Sequence, residues 1–429
     1  MAKSSALQGF YKKSQDERLE EIAAVAGLSP EETALLKQTG CLAFSLADKM
    51  IENVYGVMPL PLGLATNFQV NGRDYLVPMA LEEPSVVAAA SYAAKLARAS
   101  GGFTASSTGP LMIAQIQVVQ VKDLAKAKKA VEDQKEELVN DANQVFPGLK
   151  QFGGGAMDLE ARVIDTVRGK QLIVHLIVDV RDAMGANSIN TMAEGIAPKI
   201  EELTGGKVRL RIISNLAIFR LFRAEAVWTK EVLAESVKEL GLKGAEVVEA
   251  VLDAWAFAAA DPFRGTTHNK GIMNGIDAVT VATGNDFRAV EAGAHSYAAY
   301  NRKYTTLTSY EKTREGHLKG KIELPLAVGL VGGATKTHPI AKINVKLLGV
   351  KTAHELGEVM ASVGLAQNFA AIRALATEGI QRGHMKLHAK NIAVLGGAAN
   401  KLIDRVADAM VKEKNITVDR AKQLVEAFS

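Results

Sequence analysis

Two adjacent acids, a glycine turn, a lysine among polar residues and a histidine pair are the residues whose types and spacing could do chemistry. Glu82 and Glu83 stand before Pro84, and no charge follows until Lys95. Pro84 suits a first helical position, which leaves both carboxylates at the positive end of the helix dipole. Solvated capping acids fit the same spacing. Arg181-Asp182-Ala183-Met184-Gly185-Ala186-Asn187 joins a strand pattern to a helix pattern. A strand, a short glycine turn and a helix N-terminus make an anion site suited to a pyrophosphate. The G-x-G-x-x-G fingerprint is absent, and an ordinary turn with an asparagine cap fits equally. Residues 261–275 crowd Asp, Arg, Thr, His, Asn and Lys into an apolar neighbourhood. Lys270 is expected to open a helix over 270–282, where a cation is unfavourable unless it has another task. An exposed lysine in a helix connection is the alternative. Asp286 reads as a helix-capping acid. His384 and His388 lie four apart on one helix face. That spacing suits zinc, but Met385 replaces the glutamate of H-E-x-x-H and no Cys or acid completes a site. No metal is expected, and solvated histidines fit.

The pattern of apolar residues predicts the elements that must hold these groups. Residues 1–108 read as mainly helical, with capped helices over 14–26 and 29–39, a hairpin over 68–78 turning at Asn71-Gly72, and a buried helix over 84–98. Residues 109–216 read as strand 111–121, helix 123–145, strands 157–167 and 170–180, helix 187–203 and strand 207–216. That order is the split βαββαβ, ferredoxin-like unit. Helices resume after 218, with a hairpin over 307–325, a glycine-rich loop at 331–339 and a long helix over 352–377. Short helices follow from 378. The expected class is α+β: a large, mainly helical domain around a buried central helix (1–108 and 217–377), an inserted ferredoxin-like domain (109–216) and a C-terminal helical flap (378–429).

Nearly half the residues are apolar and about a quarter charged, as in soluble globular proteins. A net charge of +4 gives no reason to expect nucleic acid. Cys41 is the single cysteine, so no intrachain disulfide can form and a reducing cytoplasm fits. No run of about 18 apolar residues appears and no apolar signal core follows the first residues, so neither a membrane span nor secretion is expected.

Glu52-Asn53-Val54-Tyr55-Gly56 and Glu82-Glu83-Pro84-Ser85-Val86-Val87-Ala88-Ala89-Ala90-Ser91 resemble two signatures of the 3-hydroxy-3-methylglutaryl-CoA (HMG-CoA) reductases. The short soluble class II is the nearer likeness, from about residue 9 to the C-terminus. The resemblance implies a four-electron reduction of HMG-CoA to mevalonate and free CoA with two NAD(P)H. It implies catalytic roles for Glu83, Lys270, Asp286 and His384. Lys270 would polarise the thioester carbonyl, and Asp286 would lie between the lysine and the glutamate. Glu83 would be the general acid for the aldehyde, and His384, on a mobile flap, the acid for the CoA thiolate. Arg264 would grip the distal carboxylate of the substrate, with Ser85, Thr267 and Asn274 as further contacts. Asp182, Met184, Gly185, Asn187 and Asn215 would bind the dinucleotide in a non-Rossmann small domain. A homodimer, or a multiple of dimers, is implied, with substrate on one subunit and cofactor on the small domain of the other.

Two departures matter. NADH-specific relatives carry an aspartate before the glycine turn, where Gly153-Gly154-Gly155 stands here. The aligned residue is Phe146, which points to NADPH over NADH. A basic CoA contact aligns with Tyr11, with Lys12 or Lys13 as substitutes. The same residues would serve mevalonate oxidation. A non-catalytic nucleotide-binding protein on this fold would have no need of four matching catalytic motifs.

Overall fold

A computed structural model describes residues 4–399 and 401–428, with backbone alone over 380–387. Its strands are β1 (Leu62–Val70), β2 (Arg73–Ala80), β3 (Phe103–Ser107), β4 (Leu111–Val119), β5 (Gly155–Thr166), β6 (Gly169–Asp179), β7 (Lys207–Ser214), β8 (Leu221–Trp228), β9 (Thr308–Lys312) and β10 (Leu318–Pro325). They form two sheets, β2-β1-β3-β8-β10-β9 and β5-β6-β4-β7. The chain is a mixed helix and sheet protein with separate apolar cores around the two sheets and a third among the last helices.

The four-stranded sheet keeps the predicted connectivity. Its alternating strands bury one face under the helix Ala186–Thr204 and the pair Leu124–Asp133 and Lys135–Val145. One continuous helix was expected over 123–145, and it breaks at Gln134. The β5–β6, β6–β4 and β4–β7 pairs are all antiparallel, the pattern of the βαββαβ unit.

The larger part is mainly helical, as expected, but it also holds a six-stranded sheet, of which only the two hairpins were expected. Asn71 and Gly72 take left-handed φ of 51° and 76°, as a two-residue hairpin between β1 and β2 needs. The unexpected strand is β8. Leu221 to Trp228 alternates buried and more exposed residues along most of its length, a period-two signal. Trp228 ends it fully buried, its ring stacked on Phe369 at 3.8 Å and its Nε1–H donating to Ala93 O. Trp228→Ala would cost about 3–5 kcal/mol.

Phe369 belongs to the helix Ala353–Ala376, which is long and apolar enough to cross a bilayer. No such run was expected. Most of it is packed inside the larger core. Pro262–Ala282 lies against it, and here glycines are needed. A Cβ at Gly275 would meet Gln367 Cβ at 3.0 Å, and one at Gly364 would meet Ile276 Cδ1 at 2.8 Å. Each glycine weakens its own helix by about 1 kcal/mol, a loss offset by this close approach.

The helix expected over 84–98 begins at Val86, because Ser85 holds φ at 78°. Pro84 is therefore outside it. It is not buried all round: Ala88, Tyr92 and Lys95 are exposed. These residues fall at i, i+4 and i+7, one stripe turned away from the larger core.

Candidate active site

Pro262–Ala282 starts eight residues before Lys270, so the expected helix start at Lys270 is wrong. Asp261 caps it, accepting from Arg264 N at 2.9 Å, and Pro262 follows at the first position. The polar run from Thr266 to Asn269 hid this start. His268 and Asn269 are buried anchors. His268 Nε2 lies 2.6 Å from Thr308 Oγ1, and burial pushes its pKa down to about 3. Asn269 donates to Tyr304 Oη and Thr305 O and accepts from Leu307 N. With that side of the helix fixed, Lys270 projects from an exposed face, in the third turn, where no dipole argument applies.

Lys270 Nζ donates to Glu83 Oε2 at 3.1 Å, and Asn274 Nδ2 approaches the same oxygen at 3.4 Å. Lys270 and Asn274 are one turn apart on one face, so a single carboxylate meets both. Glu82 is exposed while Glu83 is half-buried, which separates the two acids. Ser85 Oγ, two residues on, is buried with no hydrogen-bond partner among the described residues. The helix it opens has no side-chain cap, so its first N–H groups are free for an anion. The half-buried Arg264 guanidinium has no partner among the described residues, and burial lowers its pKa. Thr267 is exposed.

Asp286 does not join this cluster within the chain. Its Oδ1 caps Phe287–Ala298, accepting from Arg288 N and Ala289 N, and pairs with the Arg288 guanidinium at 3.1 Å. His384 falls on 380–387, whose side chains lie outside the described residues. Sequence reading missed a second acid pair. Burial and the neighbouring Glu291 push Asp277 up to about 8. Glu291 in turn meets His295 Nε2 at 2.8 Å, and His295 Nδ1 meets Tyr304 Oη at 2.8 Å. Asp277 lies seven residues past Lys270, a spacing of two turns that gave the only available signal. Among the described residues no three His, Cys, Asp or Glu side chains converge as metal ligands.

The cofactor candidates gather at one end of the smaller sheet. β6 and β7 both run antiparallel to β4, so their last residues pair with its first: Asp179 with Leu111, Ser214 with Ile113. The 182–187 turn follows one strand and Asn215 the other. Gly155 pairs with Asp179, which brings the 153–155 turn to the same end. Gly185 holds φ at 99° and opens Ala186–Thr204 without a side-chain cap. Met184 packs against the smaller core, and Asn187 and Asn215 are exposed. Asp182 Oδ1 accepts from Ala353 N at 2.7 Å, so this carboxylate is already engaged. Phe146, half-buried, ends Lys135–Val145 against the smaller core. Arg181 donates to Gly153 O and lies 3.4 Å from Asp179. Lys150 Cε would lie 3.4 Å from a Cβ at Gly155. Two cations therefore border the glycine turn.

The family model for hydroxymethylglutaryl-coenzyme A reductase matches residues 14–389. The chain is 60% identical to the 3-hydroxy-3-methylglutaryl-coenzyme A reductase of Archaeoglobus fulgidus, over 99% of this chain and 95% of that one. It is 34% identical to a probable reductase of the same name from Borreliella burgdorferi, over 95% and 91%. Among solved structures it resembles the class II reductase of Streptococcus pneumoniae bound to NADPH in open conformations. The TM-score is 0.81 and the identity 40%, over 97% of this chain and all of that one. With the Glu83–Lys270–Asn274 cluster and the βαββαβ sheet in place, the chain belongs to the hydroxymethylglutaryl-CoA reductase family.

Proposed function

We propose that the chain reduces HMG-CoA to mevalonate and CoA, using two molecules of NADPH, with NADH as a poorer substitute. The observation that carries this is the contact of Lys270 and Asn274 with one carboxylate, Glu83. Lys270 offers a charge-assisted donor to the oxyanion that forms first from the thioester and then from the aldehyde. Glu83, beside the same nitrogen, delivers the proton that converts the second oxyanion to the alcohol. Asn274 holds that carboxylate in line. Ser85 Oγ and Arg264, both without a partner among the described residues, and the uncapped helix start suit the negative end of the substrate. His384 protonates the departing CoA thiolate from the flap.

The reduced nicotinamide, when bound, supplies the hydride in each half-reaction. The uncapped start at Gly185 suits its pyrophosphate, with Asp182, Met184, Asn187 and Asn215 around it. Phe146 places no negative charge beside the adenine ribose, and Arg181 and Lys150 offer cations to a 2′-phosphate. On this reading residues 1–108 and 217–377 bind substrate, 109–216 bind the dinucleotide and 378–429 form the flap, in a cytoplasmic enzyme.

A homodimer, or a multiple of it, completes this reading, and the place of Asp286 supports it. Lys270 and Ala282 are about 18 Å apart along their helix. Phe287–Ala298 then folds back, since Glu291 meets Asp277 and His295 reaches Asn269 through Tyr304. Asp286 stays at the far end of that helix, which suits it to the Glu83–Lys270 pair of a second copy.

The test is nicotinamide absorbance after mixing HMG-CoA with each reduced cofactor, followed by Lys270→Ala. The wild type should oxidise two cofactors per CoA released. Lys270→Ala should lose about 100- to 1,000-fold in both half-reactions while still binding HMG-CoA. More than a tenth of wild-type turnover in either half-reaction would contradict the role.

A further inference from the structure

Arg220 sits just before β8, where the chain leaves the smaller sheet for the larger one, and is 1% exposed. Its Nη1 donates to Ala183 O at 3.1 Å and its Nη2 to Val328 O at 2.5 Å. Nε has no partner. Among the described residues no carboxylate pairs with it directly, although Asp182 and Asp179 are near enough to favour its charge. A buried arginine held by two carbonyls is expensive, since a charge leaves water without a salt bridge. Such an arrangement persists when the geometry it enforces is needed.

That geometry is the position of the 182–185 turn. Leu330 N donates to Asp182 O at 2.8 Å, and Ala183 bridges Val331 in parallel register. Asp182 Oδ1 accepts from Ala353 N at the start of the long core helix. Gly329 lies so close that a Cβ there would stand 2.5 Å from Met184 N. Gly329 N is fixed in turn by Asn285 Oδ1 at 2.7 Å. The turn that leaves β6 is thus stitched to the 328–331 segment of the larger part, and among the described residues Arg220 is the one side chain bonded to both strips.

We propose that Arg220 is a positioning residue for the dinucleotide: its guanidinium, bonded to Ala183 O and Val328 O, locks the 182–185 turn onto the 328–331 segment. The proposal rests on the reading that this turn holds the cofactor. Buried as it is, Arg220 acts on the cofactor through the turn. It fixes the open helix start at Gly185 against the body that carries Lys270. Removing it takes a donor from the buried Val328 carbonyl and the half-buried Ala183 carbonyl and frees the turn to shift. Affinity for the reduced cofactor then falls, while affinity for HMG-CoA, bound at Ser85 and Arg264, stays.

The experiment measures KM for NADPH, KM for HMG-CoA and kcat in Arg220→Met, Arg220→Lys and Gly329→Ala. Arg220→Met should raise the NADPH KM at least tenfold and leave the HMG-CoA KM within twofold. Arg220→Lys, which retains the charge and one donor direction, should recover part of the loss. Gly329→Ala presses a methyl group on Met184 N and should give the same split with Arg220 intact. It decides the matter if Arg220→Met does not fold. Unchanged NADPH KM in both Arg220→Met and Gly329→Ala would overturn the proposal, as would an equal rise in both KM values. Asn187→Ala separates the two readings. If it leaves the NADPH KM unchanged, the turn is not the cofactor site. If it raises that KM while the Arg220 and Gly329 variants do not, the site stands and the lock is refuted.

Discussion

The helices Val86–Arg98 and Ala186–Thr204 begin differently from Pro262–Ala282 and Phe287–Ala298. The first two follow left-handed residues, Ser85 and Gly185, and have no side-chain cap. The second two follow Asp261 and Asp286, whose carboxylates accept the first N–H groups. An uncapped start leaves donors and a positive dipole end for a ligand's negative charge. A capped start satisfies them internally, and the helix then contributes side chains from its middle, as Pro262–Ala282 does with Lys270 and Asn274. The two open starts differ from each other. Gly185 adopts its φ freely, whereas Ser85 pays about 1 kcal/mol of strain and keeps a hydroxyl that nothing among the described residues bonds. A serine retained under strain marks a contact that glycine could not make.

The largest effects should come from the side chains assigned to proton transfer on the substrate. Glu83→Gln should slow reduction of added mevaldehyde by about 100-fold or more. His384→Gln should slow thioester reduction but leave mevaldehyde reduction largely intact. Rates of the two half-reactions, measured separately, check this. The reverse pattern would exchange the two roles and unlink Glu83 from the aldehyde step. At the other open start the expected effect is smaller. The wild type should favour NADPH, and Phe146→Asp should move the ratio of kcat/KM values toward NADH by about tenfold, through repulsion of the 2′-phosphate. A wild-type preference for NADH above about tenfold, or a Phe146→Asp variant that moves toward NADPH, would break the electrostatic account.

Much of this arrangement was legible in local pattern. The smaller sheet announced itself through clean alternation and short turns, and the Asn71-Gly72 hairpin through its turn residues. β8 was overlooked because two of its inward positions are the small Ala224 and Ala226, which weaken the apolar contrast of its alternation. The start of Pro262–Ala282 was misplaced because His268 and Asn269 read as loop residues, although both are buried and bonded. The meeting of Glu83 with Lys270 joins residues 187 apart, which no local pattern encodes. It entered through resemblance to a family. Arg220 had no signal at all, since a buried arginine looks like any other until its carbonyl partners are known.

The central claim is that one open helix start receives the substrate and the other the cofactor. Its most direct test is a crossed titration, with dissociation constants for HMG-CoA and NADPH measured on Ser85→Gly and on Asn187→Ala. Ser85→Gly keeps the left-handed backbone and removes only the hydroxyl. It should weaken HMG-CoA about tenfold, roughly 1.4 kcal/mol, and leave NADPH within twofold. Asn187→Ala should do the reverse. Loss of the same ligand in both variants, or of neither ligand in either, would contradict the account.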